Sequence, residues 1–220
     1  MKKYGVISDI HSNYPALREV MSRFDDEGVD DILCAGDIVG YNSMPNEVIN
    51  LLRDRDATCI LGNHDRTAVS ADYNSMNALA IAAIRWTVSI LTPENMNFLK
   101  SLGESAILPE IAIYHGSPFE PDDYTYEDMV DERLAAYSGT PFTVLGHTHV
   151  PFVKKMSSAT VMNPGSVGQP RDGDARASCI ILSEAEQSIV RVPYDVEMLI
   201  SNNMKCGLPL PLSERLRWGV

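Results

Sequence analysis

The chain has 220 residues, 45% hydrophobic and 22% charged, enough to bury a core without a disulfide or a structural metal, so that any metal would serve chemistry rather than folding. A formal net charge of −12 repels nucleic-acid backbones and anionic membranes, whose binding rests on basic patches, and argues against nonspecific nucleic-acid binding. The four cysteines lie far apart with no Cys-x-x-Cys pair, the apolar stretch behind Met1 reaches Asp9 too soon for a signal peptide, and no run of about 18 apolar residues occurs, so the expectation is a cytoplasmic protein with no membrane span.

Tyr4 to Ser8 is a short apolar run ending at Asp9, the pattern of a buried strand. Pro15 opens a helix to about Glu27, with Leu17, Val20, Met21 and Phe24 spaced for one apolar face. Asp31 to Ala35 reads as a second strand, Pro45 starts a second helix with Val48, Ile49 and Leu52 inward, and Thr58 to Leu61 reads as a third strand. This alternation predicts parallel strands with helices on the sheet faces. Two helical stretches follow, about Ser75 to Ser89 and Pro93 to Leu102, the second with Thr92 as N-cap.

Beyond them the texture changes. Ala106 to Leu108, Ile111 to Tyr114, Phe142 to Leu145, Phe152 to Met156, Thr160 to Met162, Ala177 to Leu182 and Ser188 to Val192 read as strands, interrupted by a helix from Glu127 to Tyr137. The predicted architecture is one α/β (α+β) domain over 1–220: two packed mixed sheets flanked by helices, with 207–220 as a C-terminal appendage. Neither repeats nor a low-complexity linker divide it. Cys34, Cys59 and Cys179 fall in apolar, strand-like runs, where a free thiol behaves as a small hydrophobe.

The strand ends carry the chemistry. The first ends Ser-Asp9-Ile-His11, the second Gly-Asp37, the third Gly-Asn63-His64-Asp65, and later strands end Tyr-His115-Gly and Gly-His147-Thr-His149. Loops leaving the carboxyl ends of neighbouring strands converge on one crevice in open α/β sheets. Asp9 or Asp37 alone could cap a following turn or helix, and one strand-end histidine could be a solvated residue. All five histidines of the chain, however, sit in such segments. Imidazole and carboxylate together suit borderline divalent metals such as Mn²⁺, Fe²⁺, Zn²⁺, Co²⁺ or Ni²⁺.

Asp-x-His, Gly-Asp, Gly-Asn-His-Asp, His and Gly-His-x-His, in that order, resemble the calcineurin-like metallophosphoesterases. Gly-Asp-Ile-Val-Gly-Tyr (36–41), Pro-Asn-Glu-Val-Ile (45–49), Asn-Pro-Gly-Ser-Val-Gly-Gln-Pro-Arg (163–171) and Arg-Val-Pro-Tyr-Asp (191–195) are similar to the small YfcE-like bacterial and archaeal branch. Asn42 departs from that branch, which usually has Gly there. Asn tolerates a left-handed backbone, so a small local effect on the substrate loop is expected.

The resemblance implies a four-layer sandwich and two divalent metal ions. Asp9, His11, Asp37 and His149 would hold one ion, and Asp37, Asn63, His115 and His147 the other, with Asp37 bridging. A metal-bridging hydroxide would attack phosphorus in a phosphate ester, most simply a phosphodiester. His64 would be the catalytic general acid, with a further ligand or a structural histidine as alternatives. Asp65 would either orient His64 or cap a helix. Asn63 and Arg171 would contact the substrate, and the Gly165-Ser166-Val167-Gly168 turn could offer N–H groups to a phosphate, or be only a tight turn. Tyr41, Arg66 and Tyr124 are further candidates for shaping the pocket. A protein-binding scaffold on the same fold and a nuclease are the competing readings, and a homodimer is left open.

Overall fold

Four consecutive buried residues make β1 (Tyr4–Ile7), the middle strand of its sheet. The computed structural model describes residues 1–74 and 76–220. Asn13 accepts the Ala16 N–H at 3.1 Å and Pro15 occupies the first turn, so α1 (Tyr14–Asp26) starts where the capping residues place it. β2 (Asp31–Cys34), α2 (Pro45–Asp54) and β3 (Thr58–Cys59) repeat the unit, and β1, β2 and β3 run parallel.

A helix then begins directly after the third strand, in line with capping, one of the two readings of Asp65. β3 stops at Cys59, and α3 spans Asn63–Ser70. Its start is made by Asp65, which reaches back to accept the Gly62 N–H at 3.1 Å. Next come α4 (Ala78–Ile90) and α5 (Pro93–Ser101). The expected start of α4 at Ser75 lies outside the described residues; Asn77 caps the helix by accepting the Ala80 N–H at 3.0 Å.

The second sheet holds β4 (Ser105–Ile107), β5 (Ile111–Tyr114), β6 (Phe142–Val144), β7 (Phe152–Lys155) and β8 (Thr160–Asn163), ordered β4-β5-β6-β8-β7. β5, β6 and β8 are parallel, with antiparallel edges. The helix expected over Glu127 to Tyr137 is broken. Glu127–Met129 form a 3₁₀ turn, Val130 is extended, and α6 covers only Glu132–Ala135. Asp131 accepts the Leu134 N–H at 2.9 Å and so starts a new helix instead of continuing the old one.

β9 (Ala177–Leu182) and β10 (Gln187–Val192) return antiparallel to the first sheet, giving the order β10-β9-β1-β2-β3. The chain closes with α7 (Val196–Lys205), α8 (Leu210–Glu214) and a 3₁₀ turn, Arg215–Arg217.

The two mixed five-stranded sheets pack face to face. Val6, Leu33, Ile60 and Ile180 of one meet Ile111, Ile113, Val144 and Met162 of the other in one buried cluster. The first sheet's outer face packs Ile7, Cys34 and Ile181 against Leu17, Val20 and Phe24 of α1 and Val48, Ile49 and Leu52 of α2. On the second sheet's outer face Ala112 and Val161 meet Leu134 and Ala135 of α6. These are the four layers the sequence predicted. Within 207–220, Leu208 and Leu212 are buried with Tyr41, Ala80 and Ala83.

Candidate metal centre

Parallel strands end on the same side of a sheet, and here the ends of both sheets meet. Across the gap between the sheets, His115 Nδ1 is 2.7 Å from the carbonyl of Ala35, and the His147 N–H donates to Asp9 Oδ2 at 3.0 Å. Asp9, His11, Asp37, His64, His115, His147 and His149 are each no more than 5% exposed, an unusual density of polar side chains in a protein interior. Asn63 is half-buried beside them. All eight candidates from the strand-end motifs thus gather at one place.

The turns that present them are strained. Asp9, His11, Asp37, His147 and His149 all have positive φ, between 47° and 67°. A left-handed non-glycine residue costs about 1–3 kcal/mol and persists only where the surroundings impose it. Gly62 is required by close approach, since a Cβ there would overlap the Asp37 carboxylate.

The outer hydrogen bonds decide what the inner atoms can do. Nδ1 of His11 lies 3.2 Å from the Val39 carbonyl and Nδ1 of His149 lies 2.5 Å from that of Gln169; with His115 on Ala35, three imidazoles donate Nδ1–H to backbone. Their Nε2 atoms therefore point inward, able to accept on a neutral ring and carrying the second proton where the ring is charged, as on His115. His11 and His149 Nε2 face each other at 3.1 Å, and His115 Nε2 faces Asn63 Oδ1 at 3.1 Å and His147 Nδ1 at 3.2 Å. Asp9 Oδ1 lies 3.1 Å from His149 Nε2 and has no other polar partner among the described residues. Imidazole nitrogens and carboxylate oxygens that converge in this way are a candidate ligand set for cations. The residues fall into three such groups: Asp9, His11 and His149; His11, Asp37 and His64; and Asp37, His115 and His147.

The charges agree. Burial alone would raise the Asp9 and Asp37 carboxyls, but His149 beside Asp9, and His115 and His64 beside Asp37, hold both below the usual carboxylate range. Burial lowers the His115 imidazole, and Asp37 at 3.4 Å overcomes this and holds it up at about 10. In the metal-free molecule a proton on His115 thus occupies a field that suits a cation. Burial pushes His64 and His147 down to about 4 and holds His11 well below the usual imidazole range.

Other candidates take different places. Asp65 does not orient His64: its oxygens accept the N–H groups of Ile38, Val39 and Gly62 at 3.1, 2.9 and 3.1 Å, tying the Asp37 loop to the start of α3. Burial and the nearby Asp37 push its carboxyl up to about 7 against those bonds. The 165–168 turn is not a phosphate cradle. Val167 and Gly168 donate their N–H groups to the Ser8 and Asp9 carbonyls at 3.0 Å, and Gly165 donates to Asn163. Arg66 is engaged by Asp122 and Glu104, bracing the loop after His115. Tyr41 packs on His64 at 4.4 Å and Tyr124 on His147 at 3.9 Å, so both tyrosines wall the cluster. Arg171 Nη2 reaches Tyr41 Oη at 3.5 Å.

Asn42 differs from expectation. The left-handed residues of its loop are Gly40 and Tyr41, while Asn42 itself is buried and works through its side chain. Its Nδ2 donates to the His11 carbonyl at 2.8 Å and its Oδ1 accepts from Asn203 of α7 at 2.9 Å. Neither Asn203 nor Arg215, which sits over the Tyr41 ring, stands out by motif; both come from chain beyond the strand-end pattern.

A buried cluster of imidazoles and carboxylates at the strand ends of a four-layer α/β sandwich defines a metal-dependent hydrolase of phosphate esters. The family model of the calcineurin-like phosphoesterase superfamily domain matches residues 2–187, and the chain belongs to that superfamily. An uncharacterized protein of Methanocaldococcus jannaschii is 36% identical over 98% of this chain and 97% of its own length. Phosphodiesterase YfcE of Escherichia coli is 24% identical over 79% of this chain and 84% of its own. Among solved structures, a metallophosphoesterase from Sphaerobacter thermophilus superposes with a TM-score of 0.85 at 34% identity, covering 100% of this chain and 99% of that one. No helix among the described residues is long and apolar enough to cross a membrane.

Proposed function

We propose that the chain is a phosphodiesterase working with two divalent transition-metal ions, Mn or Fe favoured. Asp9, His11, Asp37 and His149 hold one ion and Asp37, Asn63, His115 and His147 the other. The observation that carries this reading is how Asp37 divides its oxygens. Oδ1 accepts the His64 N–H at 2.8 Å, while Oδ2 lies 3.7 Å from His11 Nε2 and 3.4 Å from His115 Nε2, between the two ligand groups. Such a pair of ions would lower the pKa of water enough to give a nucleophile at neutral pH and would neutralise charge on the phosphoryl oxygens. Asn63 would orient the phosphoryl group and Arg171 would contact the substrate beside it. His64, which burial keeps neutral in the metal-free molecule, would give a proton to the leaving oxygen once the charge of the bound phosphoryl group holds the imidazolium. The diester preference rests on the similarity to YfcE.

The test is elemental analysis of the metal-loaded protein beside hydrolysis of bis(4-nitrophenyl) phosphate. Two ions per chain are expected, with hydrolysis lost on chelation and restored by Mn²⁺. At most one ion per chain at saturation refutes the dinuclear assignment.

A further inference from the structure

Two cationic side chains beside the site have no carboxylate to neutralise them. Of the 12 arginines, eight form ion pairs among the described residues: Arg18, Arg23, Arg53, Arg55, Arg66, Arg176, Arg191 and Arg217. Arg85 lies over Tyr73 and Arg133 over Phe119. The remaining two, Arg171 and Arg215, converge on Tyr41. Arg171 Nη2 is 3.5 Å from its hydroxyl, and the Arg215 guanidinium carbon is 5.0 Å from its ring centroid. The Nε atoms of both arginines are buried and have no hydrogen-bond partner.

In a chain with 30 acidic and 18 basic residues, a pair of unpaired, partly buried arginines is not an average surface outcome. Burial lowers the Arg215 pKa, and Arg171, a like charge, adds to that. An anion between them would relieve both costs and meet the two orphaned donors. Arg215 also lies outside residues 2–187, the part matched by the family model. Leu212 of α8, buried against Tyr41, Ala80 and Ala83, brings it to the site.

The position defines what the anion belongs to. The Tyr41 ring lies 4.4 Å from His64, the residue read above as the acid for the leaving oxygen, so the guanidiniums stand on the leaving-group side. We propose that Arg171 and Arg215 form an anion subsite for the leaving group. The substrate class is then phosphate esters whose leaving alcohol carries a second anionic group, a carboxylate or another phosphate. This rests on the phosphoesterase reading.

Binding tests it without turnover. Calorimetry in Mn²⁺ would compare ω-carboxyalkylphosphonates with two to five methylenes, the matching α,ω-bisphosphonates, and the carboxylate's methyl esters. For the parent protein, at least one chain length with a charged end should bind about tenfold or more tightly than its methyl ester. The better of the carboxylate and bisphosphonate series identifies the anion. Arg215→Ala should abolish the preference with metal content unchanged, and Arg215→Lys should keep part of it. A parent protein that binds charged and esterified ligands equally, or neither, overturns the subsite, as does a preference that survives in Arg215→Ala. Failure of the parent to hydrolyse any phosphate ester with any divalent metal overturns the phosphoesterase reading and leaves the binding result to stand on its own.

Discussion

A neutral imidazole has one donor and one acceptor nitrogen, so the carbonyls of Val39, Ala35 and Gln169 decide where the lone pairs of His11, His115 and His149 point. Asp9 works in the same way: Oδ2 accepts the His147 N–H, leaving Oδ1 inward. His64 is held differently. Its Nδ1 is buried with no hydrogen-bond partner, and its ring packs against Tyr41 and His11. If His64 protonates the leaving oxygen, His64→Ala should keep both metals and slow an alkyl phosphodiester by about 10²- to 10⁴-fold. A nitrophenyl ester, whose phenolate leaves without a proton, should slow far less. Equal loss on both esters removes the acid from the mechanism, and loss of metal makes His64 a ligand.

At the scale of elements, the candidate ligands were legible because Asp and His end apolar runs, and a polar residue at a strand end is visible in any sequence. The parallel β1, β2 and β3 followed from the same alternation of runs. What could not be read is set by contacts between distant segments. α3 starts because Asp65 reaches back to Gly62 and also ties down Ile38 and Val39, 26 to 27 residues away. The left-handed backbone at Asp9, His11, Asp37, His147 and His149 has no signature in residue type, since that conformation ordinarily selects glycine. The Gly-Ser-x-Gly turn looked available to a phosphate because its partners, the carbonyls of Ser8 and Asp9, lie more than 150 residues away. α7 supplies the clearest test of such a contact. Asn203 Nδ2 donates to Asn42 Oδ1, and Asn42 in turn donates to the His11 carbonyl; both side chains are fully buried. Asn203→Ala strands that acceptor, at a cost of about 1–3 kcal/mol. It should also loosen His11, weakening one metal more than the other. Urea unfolding in chelator measures the first effect and metal titration the second; unchanged stability would show that the Asn42–Asn203 bond carries nothing.

For the whole molecule, the metal-free state concentrates unfavourable features at one end of the sandwich. The Nε2 atoms of His11 and His149 face each other, five candidate ligand residues hold strained backbone, and the −12 net charge adds self-repulsion. The four-layer core opposes these costs, so folding does not depend on metal, but a ligand that binds only the folded state must stabilise it by mass action. At a free metal concentration of about 100 times Kd, one site contributes about 2.7 kcal/mol. For a chain of this size each kcal/mol moves Tm by about 2–4 °C, so a single site should raise it by roughly 5–10 °C and two by about twice that. Because His115 is held protonated in the metal-free molecule, filling the second site must also displace a proton near pH 7. Scanning calorimetry with and without Mn²⁺, and binding calorimetry in buffers of different ionisation enthalpy, read the two effects separately. A Tm indifferent to chelation would mean that no ion binds the folded chain at these concentrations. Metal binding with no proton release would mean that His115 is not displaced and is not among the ligands.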